Sequence, residues 1–228
     1  MAAPPEGKYS INLVRFDAEL TPHLLATVPT SDFDRMLDDL SVSSTGLVLA
    51  PHIDGAGLYD RDGALLEVHP VGRMDDWYPK GGLSPDGRWM ALTGPDRQVR
   101  ILDREAGTET LAGPFDQVLR IEVSNGGTTW IYGLGPEQQW GIYRARAGAL
   151  DRVSDNVHGQ VSPSGERVLE VREGLATLRA VGEDEPLATA QLPWLIGKHG
   201  RSQFWDEDHV VVRMGGHTPL LELDLREL

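Results

Sequence analysis

The sequence predicts an all-β fold built from repeats, on three observations. A strand–turn–strand form recurs five times at about forty residues, and a second hairpin follows each of the first four copies. Dipeptides of Asp-Gly and Asn-Gly (Asp62-Gly63, Asp86-Gly87, Asn125-Gly126) fall where tight hairpins need residues that tolerate positive φ.

The first hairpins are "VSSTGLVLA" (Val42–Ala50), "LSPDGRWMAL" (Leu83–Leu92), "VSNGGTTWIY" (Val123–Tyr132) and "VSPSGERVLEV" (Val161–Val171). Each has an apolar residue, Ser, two more residues, Gly and then an apolar strand. "FWDEDHVVVRM" (Phe204–Met214) keeps the form with Trp for Ser and Asp208 for Gly. The turn positions are Gly46, Gly87, Gly127, Gly165 and Asp208, spaced by 41, 40, 38 and 43. The second hairpins are "GLYDRDGALLEVHP", "VRILDREAGTETLAGP", "GIYRARAGALDRVSD" and "LATLRAVGEDEPLATAQLP". A tile of four antiparallel strands, a to d, at this period is that of a β-propeller blade.

Five tiles predict five blades of four antiparallel strands in a single domain over 1–228, with 1–9 disordered. The last tile supplies only strands a, b and c ("SQFW", "HVVVRM", "LLELDL"). "INLVRFDAELTPHLLATVP" reads as a hairpin before the first full tile, and one of its strands, His23–Val28, is expected to pair with the C-terminal strands and close the ring. The strand count is 21 against the 20 of five blades, so Ile11–Asp17 or Leu220–Leu225 is in surplus. In "SDFDRMLDDL", Phe33, Met36, Leu37 and Leu40 keep helical spacing, with Ser31 as N-cap. A helical turn over Ser31–Met36 leading into strand a reconciles this with the repeat.

"LSPDGRWMAL" followed by "VRILDREAG" resembles the WD-like repeat of TolB-type β-propellers, with its Ser-Pro-Asp-Gly turn between the innermost strands. The copies at Ser84 and Ser162 keep Ser-Pro-x-Gly, and the resemblance spans roughly Asp38 to Leu228. Trp205-Asp206 is a WD dipeptide at the wrong place in the tile. The resemblance implies the fold and a ligand at the face where the d–a loops converge. Function is not implied by fold.

The chain of 228 residues carries 35 acidic and 21 basic side chains, a net charge of −14. That field opposes nucleic-acid phosphates and anionic membranes, so neither is an expected partner. The absence of cysteine excludes disulfides and thiolate chemistry. "MAAPPEGKYS" lacks the basic and apolar regions of a signal peptide, and no apolar run reaches membrane-spanning length, so a soluble, cytoplasmic monomer is expected. No phosphate-binding loop, Gly-x-Ser-x-Gly elbow, His-Glu-x-x-His or metal-type histidine spacing is present, and no cofactor or metal is expected.

Tile register locates the candidate site instead. Four residues before the repeat Ser position lie Asp39, Lys80, Arg120, His158 and Arg201, all polar. Two before it lie Ser41, Gly82, Glu122, Gln160 and Gln203; one before it lie Val42, Leu83, Val123, Val161 and Phe204, all apolar. Strand alternation sends the apolar set between blades and the polar set to the channel. With Trp77, Tyr78 and His199 nearby, the ligand-binding set is Asp39, Trp77, Tyr78, Lys80, Arg120, Glu122, His158, His199 and Arg201. Trp89, Trp130, Trp194 and Trp205 are assigned to packing between blades.

Three functions follow. A binding module would hold a small anionic metabolite or a protein segment. An enzyme would use Asp39 and Glu122 as a glycosidase-like carboxylate pair with His158 as base, or Asp39, His158 and His199 around a metal. A regulatory or immunity-type protein would neutralise a basic partner. Ion pairing among the inner residues, Asp39 with Lys80 and Glu122 with Arg120 or Arg201, is the structural alternative to a site.

Overall fold

The computed structural model describes residues 9–16, 22–30, 40–52, 54–72, 78–192, 201–204, 207–213 and 220–227. Strands β1 (Tyr9–Phe16) and β2 (Pro22–Thr30) form an antiparallel hairpin, with Tyr9 opposite Thr30 and Phe16 opposite Pro22. The first four-stranded sheet is β3 (Ser41–Val42), β4 (Val48–His52), β5 (Gly55–Tyr59) and β6 (Leu65–His69). The second is β7 (Gly81–Leu83), β8 (Trp89–Thr93), β9 (Val99–Asp103) and β10 (Thr108–Ala112). The third is β11 (Gln117–Val123), β12 (Thr129–Leu134), β13 (Trp140–Arg146) and β14 (Ala149–Ser154). The fourth is β15 (Gln160–Val161), β16 (Arg167–Arg172), β17 (Leu175–Ala180) and β18 (Pro186–Gln191). A three-stranded sheet, β19 (Arg201–Phe204), β20 (His209–Arg213) and β21 (Leu220–Asp224), follows.

The tiles therefore fall where the repeat places them, but four rather than five are four-stranded among the described residues. The strand expected to close the last blade, within β2, pairs with β1. A hairpin between sequence neighbours closes a short loop and costs less chain entropy than joining distant segments. The helical turn expected over Ser31–Met36 lies outside the described residues.

The repeat Ser and Gly have one physical role in four tiles. The amide of Gly46, Gly87, Gly127 and Gly165 donates to the carbonyl of Ser43, Ser84, Ser124 and Ser162 respectively, at 3.1, 2.9, 3.0 and 2.8 Å. Each glycine has φ between +76° and +87°, a region where a side chain is strained. The Ser hydroxyl then accepts the first amide of the next strand: Leu47 to Ser43 Oγ at 2.9 Å, Trp89 to Ser84 Oγ at 2.8 Å, Arg167 to Ser162 Oγ at 3.2 Å. These serines are buried, so the bonds satisfy groups that water does not reach.

Successive turns are also tied together. The Ser44 amide and hydroxyl both donate to the Pro85 carbonyl at 2.7 Å, and the Asp86 amide donates to Asn125 Oδ1 at 2.8 Å. The Ser164 amide and hydroxyl bond the Glu207 carboxylate in the same way.

The chain divides into two compact units, 1–138 with 145–150 and 139–144 with 151–228. In the first, Leu49, Ala56, Leu58, Leu83, Met90 and Leu92 form one core between the first two sheets. In the second, Leu169, Val171, Ala176, Leu178, Phe204, Val210 and Leu225 join the fourth sheet to the last. Full burial of each large aliphatic side chain contributes about 1.5–3 kcal/mol.

The apolar inner residues obey the register with one exception. Leu83, Val123, Val161 and Phe204 are buried, whereas Val42 is 59% exposed. Leu83 and Phe204 each pack onto the sheet before their own. Trp130 is buried, and the ring of Trp89 lies 2.7 Å from the position of a Cβ on Gly127, in the next tile's turn, as assigned; Trp194 and Trp205 lie outside the described residues.

Candidate functional site

The inner strands of the first unit approach at backbone distance. A Cβ on Gly82 of β7 would stand 2.8 Å from the Ile121 carbonyl of β11, so only glycine permits this contact. Ser41 Oγ of β3 accepts the Leu83 amide at 3.0 Å, joining the innermost strands of sheets one and two. Lys80 leads into β7; its amide donates to Thr93 Oγ1 at 3.0 Å, and the residue is only 8% exposed.

Arg120 and Glu122 are two residues apart on β11 and so share a face. Arg120 Nε lies 3.4 Å from Glu122 Oε1. Tyr132, directly opposite Arg120 on β12, puts its ring 3.8 Å from the guanidinium carbon and donates its hydroxyl to Glu122 Oε2 at 2.7 Å. Cation–π attraction, ion pair and hydrogen bond thus hold three side chains in one arrangement. Tyr132 was not in the sequence-derived set. Its signal was its register position opposite Arg120.

The remaining candidates are placed as follows. Tyr78 is half exposed. His158 lies in the turn between β14 and β15, exposed, its amide bonded to Asn156 Oδ1 at 3.0 Å. Arg201 opens β19 opposite Arg213, with its side chain outside the description. Asp39, Trp77 and His199 lie outside the described residues. Of the whole set, the described contacts join Arg120 with Glu122.

The second unit holds a cleft of about 810 Å³ between β14 and one face of β16 and β17. It lies on β14, β16 and β17, away from the innermost strands that carry the polar register. Val168, Glu170 and Arg172 alternate on β16, and Leu175, Thr177 and Arg179 on β17, to line its floor. Glu170, 9% exposed, accepts the Ser154 hydroxyl at 2.6 Å and Arg179 Nη1 at 3.0 Å. The signal was Glu170 and Arg172 at the same parity in "RVLEVR": two charges on one face of a strand need partners on that face.

Among the described residues, no helix is long and apolar enough to cross a membrane, and no group of three His, Asp or Glu side chains is arranged to hold a metal ion.

No family model and no curated protein matches this chain. Solved structures do. The dihydro-heme d1 dehydrogenase NirN in complex with DHE is similar with a TM-score of 0.61 at 14% identity, over 99% of this chain and 53% of that one. TolB from Acinetobacter baumannii is similar with a TM-score of 0.59 at 15% identity, over 94% of this chain and 57% of that one. KlHsv2 with loop 6CD replaced by a Gly-Ser linker gives a TM-score of 0.60 at 11% identity, over 93% and 72%. The chain spans about half the length of NirN and TolB. At these identities the likeness shows fold alone, and with the four-stranded tiles it establishes that this chain has a β-propeller fold similar to TolB-type and WD-like repeat propellers.

Proposed function

We propose that the chain is a non-catalytic binding module that holds a basic segment of a protein partner. The observation that carries this is the internal use of its cations. Arg88, Arg100, Arg104, Arg120, Arg144 and Arg179 are each paired with a carboxylate of the same chain. With 35 acidic residues against 21 basic, such pairing leaves the acidic excess to the surface. A surface of that kind favours and steers a cationic partner. The fold supports a binding role in general; the basic partner rests on the charge argument.

The test is an array of twelve-residue peptides of basic, neutral and acidic composition, with affinity read at rising salt. Selective retention of basic peptides that weakens with ionic strength is expected. Equal retention of basic and acidic peptides would overturn the reading.

A second reading, a small anion held within the first unit by Lys80 and Arg120 beside Glu122, is favoured by one observation. The Arg120 guanidinium is preorganised on Tyr132. Isothermal titration with inorganic phosphate and with citrate tests it, and no heat of binding from either would remove it.

A further inference from the structure

We infer that the cleft between β14 and the β16–β17 face takes an extended, basic peptide segment; this rests on the basic-partner reading and gives it a site. Three features carry it.

The first is shape. The cleft is lined by residues at both ends of β17, Glu173 in the β16–β17 turn and Glu183 and Asp184 in the β17–β18 turn. It therefore runs the length of that six-residue strand, roughly 20 Å at strand rise. That length suits about six residues of extended chain, and a compact metabolite would occupy only part of it.

The second is the wall. Arg152, Val153 and Ser154 are successive residues of β14, and all three line the space. Side chains of a strand alternate between its two faces, so three in a row meet one space where the strand presents its edge or its end, and the run here continues past β14 into Asp155 and Asn156. β14 is the outermost strand of its sheet. Outer edges carry the backbone donors and acceptors through which extended peptides are bound.

The third is charge. The lining holds five carboxylates, Asp155, Glu170, Glu173, Glu183 and Asp184, against three guanidinium groups, Arg152, Arg172 and Arg179. Glu170 is balanced by Arg179, and Arg152 turns Nε and Nη2 onto the Trp140 carbonyl at 3.1 and 2.6 Å. The clearest acidic excess is left at one end, where Glu183 and Asp184 have no lining cation beside them in sequence, while at the other end Arg172 adjoins Glu173. Leu175, 38% exposed, adds an apolar contact beside Glu173. The segment that fits is net basic, with Lys or Arg toward the Glu183–Asp184 end and an aliphatic residue toward Leu175.

The experiment is fluorescence anisotropy with the labelled peptide Lys-Ala-Leu-Arg-Ala-Lys and its inverse Glu-Ala-Leu-Glu-Ala-Glu on the full chain. One variant carries Glu173→Lys, Glu183→Lys and Asp184→Lys, all at exposed turn positions. A control reverses three exposed acids of the first unit, Asp62→Lys, Asp96→Lys and Glu105→Lys, for the same change in net charge. Circular dichroism and melting confirm that both fold. The expected result is binding of the basic peptide alone, weakened at least tenfold by the cleft variant and less than threefold by the control. Equal weakening by both variants would sink the cleft while leaving the basic-partner reading intact. Failure of the unaltered chain to prefer the basic peptide would overturn both.

Discussion

The guanidinium carbon of Arg120 lies 3.8 Å from the centre of the Tyr132 ring, and the Tyr132 hydroxyl reaches back to Glu122, the partner of that same arginine. The three side chains form a closed set. As a structural unit, Arg120→Ala should lower stability by about 1–2 kcal/mol, from lost cation–π attraction and a partly screened pair. As part of an anion site, the same substitution should cost a charged hydrogen bond of roughly 1.5–3 kcal/mol in affinity. Melting temperature and phosphate or citrate titration on one variant distinguish the two roles.

Asp103 accepts Arg88 Nε at 3.0 Å and Nη2 at 2.6 Å, as well as the amides of Glu105 and Ala106. The Arg88 hydrogen bonds foremost hold its carboxyl down at about 2, against an ordinary value near 3.8. A depressed folded pKa means the contribution is complete above the ordinary value and is lost as pH falls toward 2. Asp103→Asn should therefore lower stability at pH 7 and flatten its decline between about pH 4 and pH 2. Urea melts across that range would show it; an unchanged slope would count against the pair.

Gly127 and Gly107 both have positive φ, at +76° and +65°, but differ in surroundings. A Cβ on Gly127 would stand 2.7 Å from the Trp89 ring, whereas one on Gly107 meets nothing within 4 Å. Gly107→Ala should cost only the backbone strain, about 1–2 kcal/mol. Gly127→Ala adds overpacking of a further ~1–3 kcal/mol and should perturb tryptophan fluorescence as well. Equal costs in the two variants would show that Trp89 yields freely.

Ser84 is fully buried; its hydroxyl accepts the Trp89 amide and donates to Asp86 Oδ1 at 2.6 Å. Ser84→Ala leaves a buried amide without its acceptor and should cost about 1–3 kcal/mol. Ser124, whose turn carries the same backbone bond, provides the comparison through Ser124→Ala. Chemical denaturation of both variants reads the difference, and a neutral Ser84→Ala would mean that the repeat serine is not a turn-forming residue.

A single domain over 1–228 predicts one cooperative unfolding transition. Calorimetry of the full chain checks this, since two separable transitions would mean that the two compact units melt independently. Removal of Leu220–Leu228 should abolish the cooperative transition, because Leu225 is part of the second unit's core.

The sequence by itself determined the tile. Ser and Gly recur because three of the hairpins use a buried Ser acceptor and four a positive φ at the same places, and these are local demands that leave local marks. Strand alternation also separated the buried Leu83, Val123, Val161 and Phe204 from the polar residues one position earlier. What tertiary structure decided was everything set by neighbours distant in sequence. Val42 has the register of a core residue and is exposed, so the repeat pattern alone does not settle burial. Arg120 was legible as a polar inner residue and Tyr132 as its neighbour across one hairpin, but the stacking of the guanidinium on the ring depends on side-chain packing that strand register does not specify. The cleft on β16 and β17 was hidden for the same reason: Ser154 reaches Glu170 across the gap between two sheets. A repeat records how each tile folds; the spacing between neighbouring sheets is written in no single tile.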